Sequence, residues 1–230
     1  YGFISGSRLK TKRAYLILFI VFLVGNISIL LNINNFIYLG SSEYSDIPIT
    51  HYPNLLLIKE SILHHGQIPL WSDLIFSGYP FSSNPLSGLW YFPGWFALFF
   101  PLPLGINLSL LLHLFLGMVG MFLFLKQMNV SDMSALFGAI AFTFSAKSFA
   151  HIGAGHLSLI YAISWTPWFL KTYFSSLNKN NKFYWIIPGL FFGLILLADL
   201  RWSILLCLIW VFSFFYFGSL SKEKIQLTML

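Results

Sequence analysis

The sequence predicts an all-α, polytopic transmembrane helical bundle with a long first extracytoplasmic loop that contains an amphipathic helix. Hydrophobic residues make up 57% of the chain and charged residues only 9%, against roughly 25% charged residues in ordinary soluble domains. Several apolar runs also have the length of about 17 to 25 residues that a helix needs to cross a bilayer. The runs cover approximately residues 14–31, 104–125, 133–150, 157–174, 183–199 and 202–218.

The distribution of lysine and arginine predicts the orientation, because these residues collect in cytoplasmic segments. With both termini in the cytoplasm, ten of the thirteen basic residues lie inside, and Lys59, Lys147 and Arg201 lie outside. The acidic residues show the reverse distribution. The net charge of +6 therefore reflects membrane topology, and no nucleic-acid partner is expected. The lone cysteine, Cys207, allows no intrachain disulfide.

The first outer loop, about residues 41–103, is the least membrane-like part of the sequence. Pro53 to His65 predicts an amphipathic helix that lies along the membrane surface, with Pro53 in its first turn and Gly66 just past its end. The apolar run 88–101 is too short to span and is expected at the outer interface. Later connections are short, so consecutive helices should pack as antiparallel neighbours.

We expect residues 1–230 to form one transmembrane domain. The basic residues before the first apolar run suit a signal peptide, but the run is longer than a usual signal core and no Ala-x-Ala site follows. We therefore expect a retained first helix. The chain begins at Tyr1 rather than Met, and a new apolar stretch starts after Lys224. These features are expected of the N-terminal part of a longer protein.

Short motifs follow one another along the outer loop and reappear further on. They are Ser45-Asp46, His51-Tyr52-Pro53, Gly66-Gln67-Ile68-Pro69-Leu70-Trp71, Ile75-Phe76-Ser77-Gly78-Tyr79-Pro80, Asn84-Pro85, Tyr91-Phe92-Pro93, Gly155-His156-Leu157 and Trp165-Thr166-Pro167-Trp168. In this order they resemble the bacterial YfhO-type membrane proteins, which belong to the GT-C superfamily of integral membrane glycosyltransferases. This chain departs from that pattern at Ser72-Asp73, where Asn-Pro is common, and at Asp199-Leu200-Arg201, where Gly-His is frequent.

The resemblance implies a GT-C-like bundle that transfers a sugar from a polyprenyl-phosphate donor to a lipid or glycopolymer acceptor on the outer face of the cell membrane. It also implies an acidic residue in the first outer loop as base or metal ligand, and Asp46 has that position. A carboxylate there could accept the proton of an acceptor hydroxyl, or hold a divalent cation such as Mg²⁺ or Mn²⁺. The alternative is that Asp46 only caps a turn before Pro48.

Asp199 is the second candidate catalytic residue, expected to face the same cavity as Asp46. Arg201 could bind the carrier phosphate, since a guanidinium matches phosphate oxygens bidentately; an interfacial ion pair with Asp199 is the alternative. The remaining substrate-binding candidates are His51, Tyr52, Trp71, Tyr79, Lys147 and His156. Each has a structural alternative: aromatic residues are enriched at membrane interfaces, lysines extend to headgroups, and histidines occur at solvated helix ends.

Two other functions remain open from the sequence. A transporter or flippase for a lipid-linked precursor is one, although the apolar runs lack paired, Gly/Pro-broken helices and carry little ionisable chemistry apart from His113. A non-catalytic membrane assembly subunit is the other, and it would be favoured if the Asp46 and Asp199 carboxylates lay far apart.

Overall fold

The computed structural model describes residues 11–37, 44–75, 77–177 and 181–218, and within these ranges the protein is helical without a β-strand. An isolated antiparallel bridge joins Ser72 and Tyr79. The helices are α1 (Thr11–Gly25), α2 (Ile27–Leu31), α3 (Tyr52–His65), α4 (Leu104–Gln127), α5 (Asp132–Thr143), α6 (Ala146–Ala154), α7 (Leu157–Leu177), α8 (Ile186–Ala198) and α9 (Leu200–Gly218). The predicted all-α class is confirmed.

Among the described residues, two segments are long and apolar enough to cross a membrane: α4 and the stretch Asp132–Ala154 that comprises α5 and α6. Length and composition alone would also fit the core helix of a soluble protein. The six predicted spans and their orientation therefore stay predictions. Part of the charge pattern behind that orientation, at positions 8, 10, 43, 179 and 222–224, lies outside the described residues.

The core forms where α4 packs against α5 and α7, and α7 in turn packs against α8. Small residues let α4 and α7 approach closely: a Cβ on Gly117 would lie 3.1 Å from the Cα of Ser164, and one on Gly120 would meet the ring of Trp168. Trp168 Nε1 donates a hydrogen bond to the Leu116 carbonyl at 2.9 Å. Close backbones and polar links are the usual means of joining apolar helices.

Two of the predicted continuous runs are broken in the structure. The run 14–31 divides at Asn26, a buried residue whose side chain donates to the Phe22 carbonyl at 2.9 Å. The run 133–150 divides after Thr143, because Ser145 caps α6 by accepting from the Ser148 backbone N–H at 3.2 Å. α6 then continues to Ala154, so the predicted connection 151–156 is largely helical. Hydrophobicity alone does not reveal such breaks.

The outer loop folds onto the bundle much as its sequence predicts. α3 begins at Tyr52 and ends before Gly66, whose φ of +62° gives the left-handed cap that glycine favours. The short run 88–101 forms a 3₁₀ helix, Phe92–Phe99, rather than a spanning helix, and this helix packs on α4. A small apolar cluster of Ile58, Phe81 and Leu89 lies beneath the loop.

Candidate functional site

Asp46 lines an open cleft of about 430 Å³ between the start of the outer loop and the end of α6. Its side chain is 53% exposed, and its Oδ2 lies 3.6 Å from Nε2 of His156. Although Asp46 precedes the π-helical turn Ile47–His51, its side chain makes no capping hydrogen bond to that turn. The alternative of a simple turn cap is therefore wrong, and the carboxylate is available to the cleft.

Gly155 explains how His156 comes to face Asp46. It ends α6 with a φ of +79°. A Cβ at this position would contact Oγ of Ser45 and would lie 2.6 Å from the backbone nitrogens of both Asp46 and Ile47. Only glycine fits this close approach, so the Gly-His pair of the sequence has a physical reason: the glycine admits the Asp46 segment and the histidine meets it.

His151 extends this contact into the protein. Its Nδ1 lies 3.0 Å from Nδ1 of His156, and its Nε2 is buried without a hydrogen-bond partner in the described part of the chain. His151 also lines a cavity of about 10 Å³ together with Thr143 and Ser164. The sequence analysis did not include His151 among the site residues. The signal for it was its place one helical turn before the Gly155 cap, which brings positions 151 and 156 together.

Asp199 is buried and fully engaged, with a side chain only 1% exposed. Its Oδ2 accepts from Arg201 Nη2 at 2.7 Å and from Ser158 Oγ at 3.0 Å. Its Oδ1 accepts from the Trp202 backbone N–H at 3.1 Å and from Arg201 Nε at 3.3 Å. Burial raises the pKa of Asp199, but the hydrogen bonds from these donors outweigh it, so the pKa lies below its ordinary value. Asp199 is an ionised anchor for Arg201, and it does not line the cleft at Asp46.

His51 is a buried histidine whose pKa responds to both acidic residues. Burial lowers the pKa of His51 to about 4, and the charges of Asp46, Arg201 and Asp199 all act on it. His51 also lines a cavity of about 30 Å³ that reaches Ser158, the hydroxyl donor to Asp199. Burial thus outweighs the charges of Asp46 and Asp199, which both raise the pKa of His51.

Comparison with family models, with curated proteins and with solved structures finds no match to this chain. The resemblance to YfhO-type proteins thus depends on the motifs of the sequence itself.

The other predicted substrate residues lie at different distances from this site. The Lys147 ammonium lies 5.9 Å from the ring centroid of Trp202, next to the Asp199 turn. Tyr52 packs edge-on against Phe36. Trp71 covers Gly78, whose added Cβ would lie 2.6 Å from Trp71 Nε1. Of the predicted substrate residues, His156 lines the cleft at Asp46, whereas His51, Tyr52, Trp71, Tyr79, Lys147 and Arg201 do not.

A metal site at Asp46 stays a prediction. Within the described residues no group of three or more His, Cys, Asp or Glu side chains is arranged to hold a metal ion. Asp46 and His156 supply two nearby groups, fewer than the ligand sets of typical metal sites in proteins. Mg²⁺ in particular keeps several water ligands and often binds through one or two carboxylates. A cation here would therefore have to complete its shell with water or with the substrate.

A buried polar cluster holds the outer loop against the helical bundle. The Tyr91 hydroxyl lies 2.6 Å from His113 Nε2 and accepts a hydrogen bond from Trp165 Nε1 at 2.6 Å. Tyr161, stacked on His113, donates to Ser109 Oγ at 2.8 Å. The other ring nitrogen of His113, Nδ1, lies 2.7 Å from the Ser109 carbonyl oxygen within α4. The cluster joins the loop to α4 and α7, and its Tyr91 and Tyr161 line the same small cavity as His51.

Proposed function

We propose that this chain is a multi-pass, GT-C-type membrane glycosyltransferase that transfers a sugar from a polyprenyl-phosphate donor to a lipid or glycopolymer acceptor on the outer face of the membrane. One observation carries the proposal: an exposed carboxylate, Asp46, lies in an open cleft beside His156. Arg201, held by two hydrogen bonds to Asp199, supplies a fixed cation. A base and a fixed cation are the two groups that transfer from a phosphate-linked sugar requires.

Asp46 acts as the general base in this proposal. It accepts the proton of the acceptor hydroxyl, while the acceptor oxygen forms a bond to the anomeric carbon. The bond between that carbon and the phosphate oxygen breaks, and polyprenyl phosphate leaves with the bonding electron pair. A general base of this kind contributes roughly 10²–10⁴-fold to the rate.

Arg201 neutralises the leaving phosphate. Its side chain is 64% exposed, and Asp199 occupies only Nε and Nη2, so a second edge of the guanidinium is open to an anion. Lys147 lies next to the same turn and adds positive charge. We therefore assign Asp199 the role of orienting Arg201 rather than the reacting role expected from the sequence, because its carboxylate oxygens are saturated with donors.

The test is a transfer assay in proteoliposomes with a panel of radiolabelled polyprenyl-phosphate hexoses and a membrane lipid acceptor. The expected result is formation of labelled lipid by the wild type and its loss in Asp46→Asn. Asp73→Asn is the matched control, since Asp73 is an exposed acid of the same loop and should retain activity. Wild-type transfer by Asp46→Asn would exclude the base role.

A second candidate, a transporter or flippase, is favoured by the broken helices. The break at Asn26 lies close to the break before Ser145: Gly25 is so near the ring of Phe144 that an added Cβ would contact it. Paired discontinuous helices that meet are typical of secondary transporters. The same proteoliposomes separate the two functions: movement of labelled lipid-linked sugar between leaflets without a new glycosidic bond would support the carrier and contradict the transferase.

A further inference from the structure

Three side chains form a line from the cleft into the protein: Asp46, His156 and His151. Asp46 Oδ2 faces Nε2 of His156 at 3.6 Å, and Nδ1 of His156 faces Nδ1 of His151 at 3.0 Å. The second contact is a hydrogen bond, so one of the two Nδ1 atoms carries a proton and the other accepts it. Which of them donates decides what His156 presents to Asp46.

The buried end of the line discriminates between the two arrangements. If His156 donated through Nδ1, a neutral His151 would carry its own proton on Nε2, which is buried and has no partner in the described part of the chain. Buried N–H groups without an acceptor are rare, and unsatisfied acceptors are less so. This end therefore favours a proton on Nδ1 of His151.

The exposed end gives the same answer independently. A neutral His156 that accepts at Nδ1 carries its proton on Nε2, the atom that faces the Asp46 carboxylate. The opposite tautomer would place a nitrogen lone pair against a negatively charged oxygen, which is repulsive. For two neutral imidazoles, both ends of the line thus favour a His151 that donates and a His156 that accepts at Nδ1.

We propose that His151 is a positioning residue that fixes the His156 imidazole as its Nε2–H tautomer, so that His156 presents an N–H group to the Asp46 carboxylate. At 3.6 Å this contact is longer than a hydrogen bond, and a shift of a few tenths of an ångström closes it. The N–H then holds Oδ2 and leaves Oδ1 of Asp46 free for the acceptor proton. The role of Oδ1 depends on the proposed transferase function, whereas the tautomer assignment does not.

The direct test is ¹⁵N NMR spectroscopy of the histidine-labelled protein in lipid nanodiscs at neutral pH, with signals assigned from single histidine variants. The expected result is a protonated Nδ1 and bare Nε2 on His151, with the reverse on His156. A protonated Nε2 on His151 would overturn the proposal. Because no substrate is involved, the answer stands even if the chain transfers no sugar.

Two substitutions test the role in activity. His151→Phe keeps a ring but removes the donor, and we expect a roughly tenfold loss of kcat with KM unchanged, the size of one neutral hydrogen bond. His151→Asn restores an N–H near the Nδ1 position and should recover most of that loss. His64→Phe is the control. His64 is exposed on α3, and its ion-pair partner within the described residues is Glu60 of the same helix.

Equal kcat in His151→Phe and wild type would overturn the positioning role. Equal losses in the Phe and Asn variants would assign His151 a packing role instead, and would likewise contradict the proposal. The NMR readout in His151→Phe adds a spectroscopic measure that a packing role would not change: the His156 proton should no longer be confined to Nε2.

Discussion

Asp46 and Asp199 are two carboxylates that differ sharply in solvent exposure and in hydrogen bonding. Asp46 has a side chain 53% exposed and a single ionic contact at 3.6 Å. Asp199 is 1% exposed and accepts from Ser158, from Nε and Nη2 of Arg201 and from the Trp202 backbone. The first carboxylate has unused acceptor capacity and access to a cleft, whereas the second has neither.

The difference teaches that an acidic residue next to a membrane-like segment is not defined by its position alone. Carboxylates beside apolar helices are functional candidates by default, and both residues qualify. Their hydrogen-bond environments separate them, because a base must be able to accept one more proton and a saturated carboxylate cannot do so without losing a donor. In the proposed function Asp46 is therefore the reacting carboxylate, and Asp199 is the carboxylate that holds Arg201.

The largest expected effect belongs to Asp46. Asp46→Asn should lower sugar transfer roughly 10²–10⁴-fold. Its free energy of unfolding in detergent should change by no more than about 0.5 kcal/mol, the range typical of surface substitutions. Parallel transfer and thermal unfolding measurements check both statements. A large drop in melting temperature would show that Asp46 is structural, and the contrast with Asp199 would fail.

Asp199→Ala should reverse the pattern. It removes the acceptor of the Ser158 hydroxyl and of the Trp202 N–H at the start of α9, at a cost of about 1–3 kcal/mol in stability. Arg201 is largely exposed, so water can solvate its guanidinium once Asp199 is gone, and the lost ion pair adds little to this cost in stability. Thermal unfolding of detergent-purified protein measures this, with Asp73→Ala as the exposed control. A melting temperature equal to the control would contradict the architectural role.

Gly155→Ala should move Asp46 without touching its carboxylate. The added Cβ would meet the Ser45–Ile47 backbone at a positive φ, at a cost of roughly 1–3 kcal/mol. Activity should fall as well, because the Asp46–His156 contact opens. Gly66→Ala is a close control: Gly66 has a φ of +62° but nothing within 4 Å of the new Cβ. If both variants lost activity equally, the close approach at Gly155 would have no functional meaning.

Arg201→Lys should separate orientation from charge. The ammonium keeps the positive charge but loses the fork that Asp199 orients, so we expect the KM for the polyprenyl-phosphate donor to rise roughly tenfold, about the value of one charge-assisted hydrogen bond. Initial-rate kinetics at varied donor concentration measure it. Lys126→Arg, at the far end of α4, serves as control. Unchanged donor KM in Arg201→Lys would argue strongly against phosphate binding.

The smallest expected effect concerns pH and the buried His51. Burial lowers the pKa of His51 to about 4 in the folded protein, below the value of about 6.5 for an unperturbed histidine. The unfolded chain therefore binds this proton more readily, so the stability from His51 is complete above about pH 6.5 and is lost as the pH falls towards 4. The wild-type melting temperature should decrease more steeply over this window than that of His51→Gln. Identical slopes would contradict the burial of a neutral His51.

Much of the fold was predictable from composition and local pattern. Apolar runs predicted the positions of the helices, and Pro53 and Gly66 marked the ends of α3 within a residue. The breaks at Asn26 and Ser145 were not predicted, because one polar side chain changes average hydrophobicity little while its hydrogen bonds redirect the backbone.

The candidate site was predictable only in part. Motif order singled out Asp46 and His156, and the structure brings them together. Trp71 and Tyr79 came from the same motifs but do not line the cleft. His151 was missed because its importance depends on a contact across the Gly155 cap, which is a property of the folded chain.

By itself the sequence determined the helical class and the ends of the amphipathic helix, and its motifs singled out Asp46 as a candidate, because these follow from local composition and from short motifs. The tertiary structure alone decided which carboxylate is free and which is saturated, which histidine stands behind His156, and how Asp46 and Asp199 share one end of the bundle. Desolvation and hydrogen bonding arise from residues far apart in the chain, so no local pattern contains them.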